Sequence, residues 1–283
     1  MPRRQQATAR QRRLGAELRK LREAAGIKGR EAAALLGADS AQVSQIEAGL
    51  AGVSEARLRR IAAHYNCTDQ QLVDALAAMA GERTPGWWEG YRGLLPTSFL
   101  DLSELEHHAG YRWDVDFLHV PGLLQTEDIA RALFSSRVPE LPEADLELRV
   151  QHRMQRCAIL TKEQPTRYEA LVHEAALRMM VSSRAAARDQ LARILEFSEA
   201  PHVTVRVIPF EREHFVDVGA AMVYAGGAVP KLDTVVRDGP HGTVFVDSEA
   251  QLSVFRTHFR RVEAMSCDPA PSRDLIHKLS KEL

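Results

Sequence analysis

Cysteine is scarce in this chain of 283 residues: Cys67, Cys157 and Cys267 stand far apart and form no metal-type pair. Neither a disulfide framework nor a structural zinc site is suggested, and reduced thiols are expected. There is also no long uncharged apolar run of the kind that spans a bilayer, and the basic start leads into no hydrophobic stretch of a secretory leader. A cytoplasmic protein without a membrane partner is expected. Catalytic patterns are missing as well. No glycine-rich phosphate loop, nucleophile elbow or paired catalytic carboxylates can be assigned, and no repeat or low-complexity tract interrupts the chain. The nearest catalytic string, His173-Glu-Ala-Ala-Leu177, has leucine where a helical zinc protease needs its second histidine. Glu211, Glu213, His214 and Asp217 form the densest metal-compatible cluster, but no spacing fixes a coordination geometry, and a solvated loop after a strand is the plainer account. His107 and His108 are adjacent on an expected helix and point in different directions. Gly226-Gly227 reads as a turn between strands. No metal, no cofactor and no enzymatic activity are expected.

The chain also lacks an overall excess of charge, with 37 basic against 38 acidic residues, but that balance hides an asymmetry. Residues 1–80 hold 13 bases and 8 acids, and the remainder holds 24 and 30. Within the first thirty residues ten bases, Arg3, Arg4, Arg10, Arg12, Arg13, Arg19, Lys20, Arg22, Lys28 and Arg30, face only Glu17 and Glu23. Such a surface displaces counterions from a phosphate backbone. The segment before Leu14 reads as a basic arm able to reach a neighbouring groove, with an ordinary solvated tail as its alternative. A content of 45% hydrophobic and 27% charged residues is that of a soluble globular protein, and the length allows two domains.

Helical periodicity organises the start of the chain. Leu14, Leu18 and Leu21 recur on one face, Gly26 is placed to stop that helix, and Ala32, Ala33, Leu35 and Leu36 supply a second apolar face before Gly37. Asp39 can cap a third helix by accepting hydrogen bonds from its first-turn amides. Val43 and Ile46 then point inward. Ser40, Ala41, Gln42, Ser44 and Gln45 are left outward, a small polar surface suited to base edges or phosphates in a major groove.

Residues 14–65 resemble the helix-turn-helix domain of the XRE family, the phage-repressor-like regulators. The likeness rests on the glycine at the helix junction, the Leu36-Gly37 corner and the string Val43-Ser-Gln-Ile-Glu-Ala-Gly49. It implies a pairing of a first-helix arginine with a partly buried glutamate ending the third helix, positions held here by Arg22 and Glu47. The family's second helix usually opens with a phosphate-touching glutamine. Gly29 stands there instead, flanked by Lys28 and Arg30, whose charge is expected to substitute for it. Double-stranded DNA is the implied partner, contacted by Lys28, Arg30, Ser40, Ala41, Gln42, Ser44 and Gln45, with Arg12 and Arg13 of the arm on the backbone.

Beyond the motif, Thr68-Asp-Gln-Gln71 has capping-box spacing and opens an expected helix through Leu72, Leu76 and Met79 to about Gly81. Breakers and two adjacent tryptophans, Trp87 and Trp88, mark a linker whose aromatics more often anchor than stack on a ligand. The remainder alternates between helix and strand patterns. Helices are expected over 98–110, from a Thr126 cap through Phe134, over 142–164, 184–198, 248–264 and 272–283. Strands are expected over 113–120, 167–172, 203–209, 221–225, 234–237 and 243–247. The predicted organisation is a basic arm (1–13), an all-α helix-turn-helix domain (14–81), a linker (82–97) and an α+β domain (98–283).

Val120-Pro-Gly-Leu-Leu-Gln-Thr126, Ala130-Arg-Ala132, Arg149-Val-Gln-His-Arg153, Val172-His-Glu-Ala-Ala-Leu-Arg178, Gln190-Leu191 and Val203-Thr-Val-Arg-Val-Ile-Pro209 resemble the antitoxin-like domain of actinobacterial XRE regulators of the WhiJ type. The resemblance implies a regulator of development or secondary metabolism with a small protein partner encoded nearby. Within the Pro121–Thr126 segment the proline and glycine shape a turn while Leu123 and Leu124 fill a core. Alternatively, Gln125 and Thr126 line a partner or effector site. The expected protein is a dimeric, sequence-specific transcription regulator on an inverted repeat, since one reading helix contacts few bases. Its C-terminal domain would serve dimerisation and reception of a partner or effector. The alternative is an antitoxin-like module that sequesters a small protein and uses DNA binding for autoregulation.

Overall fold

The computed structural model describes residues 7–82, 84–213, 221–239 and 242–283. The chain divides into two compact units, Met1–Gly90 with Phe99–Leu105, and Tyr91–Ser98 with Glu106–Leu283. An all-α helix-turn-helix unit is thus followed by a unit of mixed sheet and helices.

The first unit contains α1 (Ala9–Ala24), α2 (Gly29–Leu35), α3 (Ser40–Glu47), α4 (Glu55–His64) and α5 (Gln70–Gly81). Leu18, Ala32, Val43, Ile46, Leu58, Ile61, Leu72 and Leu76 are buried and form its interior. Gly26 and Gly37 end α1 and α2 at φ of 70° and 58°, a left-handed backbone that glycine adopts without steric cost. Leu35 faces outward at 46% exposure, so the second apolar face is narrower than its composition implied.

Three expectations are corrected here. The helix opens at Ala9, not at Leu14, because Thr8 and Gln11 make a reciprocal capping box: the Gln11 amide donates to the Thr8 hydroxyl at 3.2 Å and the Thr8 amide to the Gln11 side chain at 3.0 Å. Residues 9–13 of the expected arm are therefore helical, while Arg3 and Arg4 lie outside the described residues. The cap of α5 is Asp69, whose carboxylate accepts from the Leu72 amide at 3.1 Å, rather than Thr68.

The second unit carries a sheet of order β3-β2-β1-β4-β5-β6, from β1 (Tyr111–Asp116), β2 (Arg167–His173), β3 (Val203–Ile208), β4 (Met222–Gly226), β5 (Thr234–Gly239) and β6 (Gly242–Val246). β1 pairs in parallel with β2, and β2 with β3. The β1–β4, β4–β5 and β5–β6 pairs are antiparallel. The connecting helices are α7 (Glu127–Ser135), α8 (Glu143–Arg156), α9 (Glu174–Arg178), α10 (Arg184–Phe197), α11 (Glu249–Met265) and α12 (Pro269–Glu282), after α6 (Thr97–His108), whose Phe99–Leu105 stretch belongs to the first unit.

Alternation along the strands makes two cores. Tyr168, Ala170 and Val172 of β2 with Val203, Val205 and Val207 of β3 pack with Leu191 and Ile194 of α10 and Ile276 and Leu279 of α12. Val115, Leu171, Tyr224 and Val235 pack on the other face with Leu252, Phe259 and Val262 of α11. β1 stops at Asp116, short of the expected end at residue 120, and the long helix expected over 142–164 ends at Arg156, followed by a 3-10 turn at Cys157–Leu160. The string His173–Leu177 turns out to be the end of β2 and most of α9.

Candidate nucleic-acid interface

The exposed polar face expected on α3 is set by how that helix is held. The Asp39 carboxylate caps the helix, accepting from the Gln42 amide at 2.7 Å. Val43 and Ile46 are buried, and Ser40, Ala41, Gln42, Ser44 and Gln45 are exposed. The far end is clamped. Arg22 of α1 donates through Nε to Glu47 Oε1 at 2.6 Å and through Nη2 to Oε2 at 2.9 Å, while its Nη1 donates to the Ile27 carbonyl at 2.8 Å. A two-pronged guanidinium–carboxylate contact fixes direction as well as distance, so α1, the turn after it and the end of α3 are set together. The hydrogen bond to Glu47 is the main reason that the Arg22 guanidinium holds its proton more tightly than usual.

Two glycines bring α1 and α3 closer than side chains would allow. A Cβ on Gly15 would lie 2.5 Å from the Glu47 carbonyl oxygen, and one on Gly49, whose φ is 73°, would lie 2.5 Å from the Gln11 carbonyl oxygen. Neither glycine was assigned this role from the sequence, because close backbone approach leaves no local signature apart from the glycine itself.

Lys28 and Arg30 are both exposed at the start of α2, and the Lys28 amide is held by the Glu31 carboxylate at 2.8 Å. Arg12 and Arg13 are placed otherwise than expected. Arg13 is 7% exposed and lies 3.0 Å from Glu17 inside the unit, and Arg12 is bound to Asp101 at 3.0 Å. Both are helical rather than part of a free arm; Arg13 is committed inside the unit, whereas Arg12 stays exposed at 52% while paired with Asp101. Asp101 also accepts from the Ala9 amide at 2.8 Å, closing the amino end of α1, and this role had no sequence signal because the two residues are 92 positions apart.

In the second unit Thr126 caps α7 through a bond from the Ile129 amide at 3.4 Å, and its own amide donates to the Gln190 side chain at 2.8 Å. Gln125 is 3% exposed and donates to the Val120 carbonyl at 2.6 Å. Gln125 is thus turned inward to close the turn, while Thr126 is half-buried at the start of α7. Gly226 ends β4 where a Cβ would meet the Tyr111 ring and the Asp233 carboxylate, so close packing as well as turning requires it. Among the described residues no group of three or more histidine, cysteine or acidic side chains could hold a metal ion; His214 and Asp217 of the cluster considered above lie outside them. Cys67, Cys157 and Cys267 are all free thiols. No helix among the described residues is long and apolar enough to cross a membrane.

Residues 99–278, more than half of the chain, match the model of the family described as Domain of unknown function (DUF5753). The chain belongs to the DUF5753 family. Residues 13–76 match a helix-turn-helix domain, running from within α1 into α5 and including the exposed face of α3. No curated protein and no solved structure matches the chain. In this DUF5753 protein the XRE-like helix-turn-helix supports a DNA-binding regulator rather than an enzyme.

Proposed function

We propose that the protein is a sequence-specific transcription regulator that lays α3 in the major groove. Ser40, Ala41, Gln42, Ser44 and Gln45 read base edges, Lys28 and Arg30 grip phosphates, and the pairing of Arg22 with Glu47 holds the reading helix in place. The observation that carries this reading is the exposed polar face of α3, capped by Asp39 at one end and clamped at Glu47 at the other. A polar helix held rigidly at both ends can present hydrogen-bonding groups at a fixed register, which base readout demands.

In this reading DNA binding resides in residues 14–81 and dimerisation and signal reception in residues 98–283, joined by the 82–97 segment. A homodimer on an inverted repeat follows from the few bases one helix can contact. The C-terminal domain's likeness to antitoxin-like regulators of the WhiJ type supports a small partner protein and a part in development or secondary metabolism. In the second reading, sequestration of that partner is the main task and DNA binding serves autoregulation in the cytoplasm.

Genome-wide footprinting with the full chain tests the proposal. Protection of discrete sites with two-fold symmetry is expected; failure to protect any fragment at modest ionic strength overturns it. A stoichiometric small protein that co-purifies and abolishes footprints would favour the second reading.

A further inference from the structure

β1 carries a charge at every second residue. Arg112, Asp114 and Asp116 share one face of the strand, opposite Trp113 and Val115. Arg112 and Asp114 are 2% and 0% exposed, and they are fully paired. The Arg112 guanidinium donates to both carboxylate oxygens of Asp114 at 2.7 and 2.8 Å, and pairs with Glu106 as well. Arg156 of α8 donates to Glu106 Oε2 at 2.8 Å, and the Tyr168 hydroxyl donates to Asp114 at 2.8 Å. Two guanidinium groups and two carboxylates cancel inside this cluster.

Two opposite charges are left without an ion pair, both also within electrostatic reach of the exposed Asp238 of β5. One is Asp116, the next residue along the same face of β1, which makes no hydrogen bond or ion pair with any described residue. The other is Arg153, on the inward face of α8, whose Nη1 donates to the neutral Gln125 side chain at 2.5 Å and whose guanidinium lies 4.9 Å from the centre of the Phe134 ring. Asp116 is within electrostatic reach of Arg153, yet the two form no ion pair. Both are half-buried, whereas Arg112, Asp114 and Arg156 are closed off from solvent. Asp116 and Arg153 thus keep some contact with solvent that the paired charges lack. Burial pushes the Asp116 carboxyl well above the usual carboxylate range and, together with Arg156, pulls the Arg153 guanidinium down to about 9. Unmatched charges at depth cost stability, and apolar side chains would pack there more favourably.

Topology marks the same spot. β1 is the strand at which the sheet changes sense, with parallel β2 on one edge and antiparallel β4 on the other. Asp116 is the last residue of β1, and Gln125 belongs to the connection from β1 to α7. Gly122 of that connection leaves room for the guanidinium, since a Cβ there would lie 3.0 Å from Arg153 Nη1.

We propose that the carboxyl end of β1 binds a small amino-acid-like metabolite, its carboxylate on Arg153 and its protonated amine on Asp116. The site rests on the reading of the C-terminal domain as the signal-receiving part and gives that reading a ligand class. An arginine fork suits a carboxylate, and Gln125 holds that fork at Nη1. The buried Gln125 therefore acts as a positioning residue.

The test uses the full chain, titrated calorimetrically with the twenty common L-amino acids, β-alanine and γ-aminobutyrate, and with acetate, succinate and putrescine as probes bearing one kind of charge. Saturable binding of at least one zwitterionic probe is expected, with no binding of the single-charge probes. Asp116→Asn and Arg153→Gln should each weaken it about tenfold or more. Absence of binding by every zwitterionic probe, equal binding of a single-charge probe, or indifference to both substitutions overturns the site. Without any probe, Asp116→Asn should raise the melting temperature by removing an unmatched charge; a lower value would mean that the fold uses this carboxylate, and would also overturn it. A gel shift on genomic fragments separates the two readings. DNA binding with no probe binding removes this site alone, whereas loss of DNA binding by the unmodified chain removes the regulator.

Discussion

Gly15 on α1 and Gly49 after α3 meet backbone to backbone: a Cβ on Gly15 would lie 2.7 Å from the Gly49 main-chain nitrogen. The close approach seats the end of α3 against α1 without an intervening side chain.

Gly15→Ala accordingly sets two effects against each other. Alanine in a helix interior is worth about 1 kcal/mol over glycine. Overpacking against immobile backbone costs about 1–3 kcal/mol, and here the atoms in the way are main-chain ones that cannot swing aside. Net destabilisation is expected, read as a lower denaturant midpoint with an unchanged slope; a more stable variant would contradict the close approach.

The pair of Arg22 and Glu47 gives a second expectation. Their side chains are 12% and 13% exposed, so Arg22→Ala leaves a mostly buried carboxylate without its counter-charge. A destabilisation of about 3 kcal/mol is expected. Replacing both residues together, as Arg22→Met with Glu47→Leu, should recover much of it. Thermal unfolding of the three variants decides, and equal destabilisation in single and double variants would contradict the account.

Base reading and phosphate grip should separate in binding experiments. Ser44→Ala with Gln45→Ala should lower preference for the operator over random DNA, by about 1–3 kcal/mol for each base edge that is no longer read. Lys28→Ala with Arg30→Ala should weaken binding to all DNA and flatten the salt dependence by about 0.9 in slope for each phosphate that is no longer neutralised. Arg13→Ala belongs to neither class. Its burial beside Glu17 makes reduced stability the expected result. Gel-shift titrations at several salt concentrations distinguish the three.

Acid sensitivity should trace in part to His152. Burial, followed by the nearby Arg156 and Arg153, lowers its imidazole to about 3, and its ring stands edge-on to Tyr91 at 5.0 Å. In the unfolded chain the same ring takes up a proton near pH 6.5. The stability gained by keeping His152 neutral is therefore whole above about pH 6.5 and is lost progressively as pH falls towards about 3, with a slope of up to about 1.4 kcal/mol per pH unit. His152→Gln should flatten that acid limb. Denaturant midpoints at about pH 7 and about pH 5 check this; parallel pH dependences in the two proteins would contradict it.

Local patterns were legible wherever one element's own residues carry the signal. The apolar spacing of Leu18, Val43 and Ile46, the Asp39 cap and the Thr126 cap all act within a few residues of themselves, and the structure places them accordingly. The exposed set on α3 follows from the same periodicity. Relations across long separations stayed hidden. Asp101 serves α1 from 92 residues away, and the strand order with its change of sense at β1 depends on pairing that no single segment specifies. Arg13 was misplaced because basic residues at the amino end resemble a solvated arm until the Thr8 cap extends the helix over them. The alternating charges of Arg112, Asp114 and Asp116 were visible as a period of two, but charge on the inward face of a strand contradicts the usual reading of alternation, which takes the apolar positions as the buried ones.

The carboxylate at position 101 sets a limit on how this gene can be divided. A fragment ending at Gly81 would keep the recognised motif while stripping the first helix of the acceptor that meets its Ala9 amide. The first compact unit includes Phe99–Leu105, inside the stretch that matches the DUF5753 family, so inherited boundaries and mechanical ones do not coincide in this molecule.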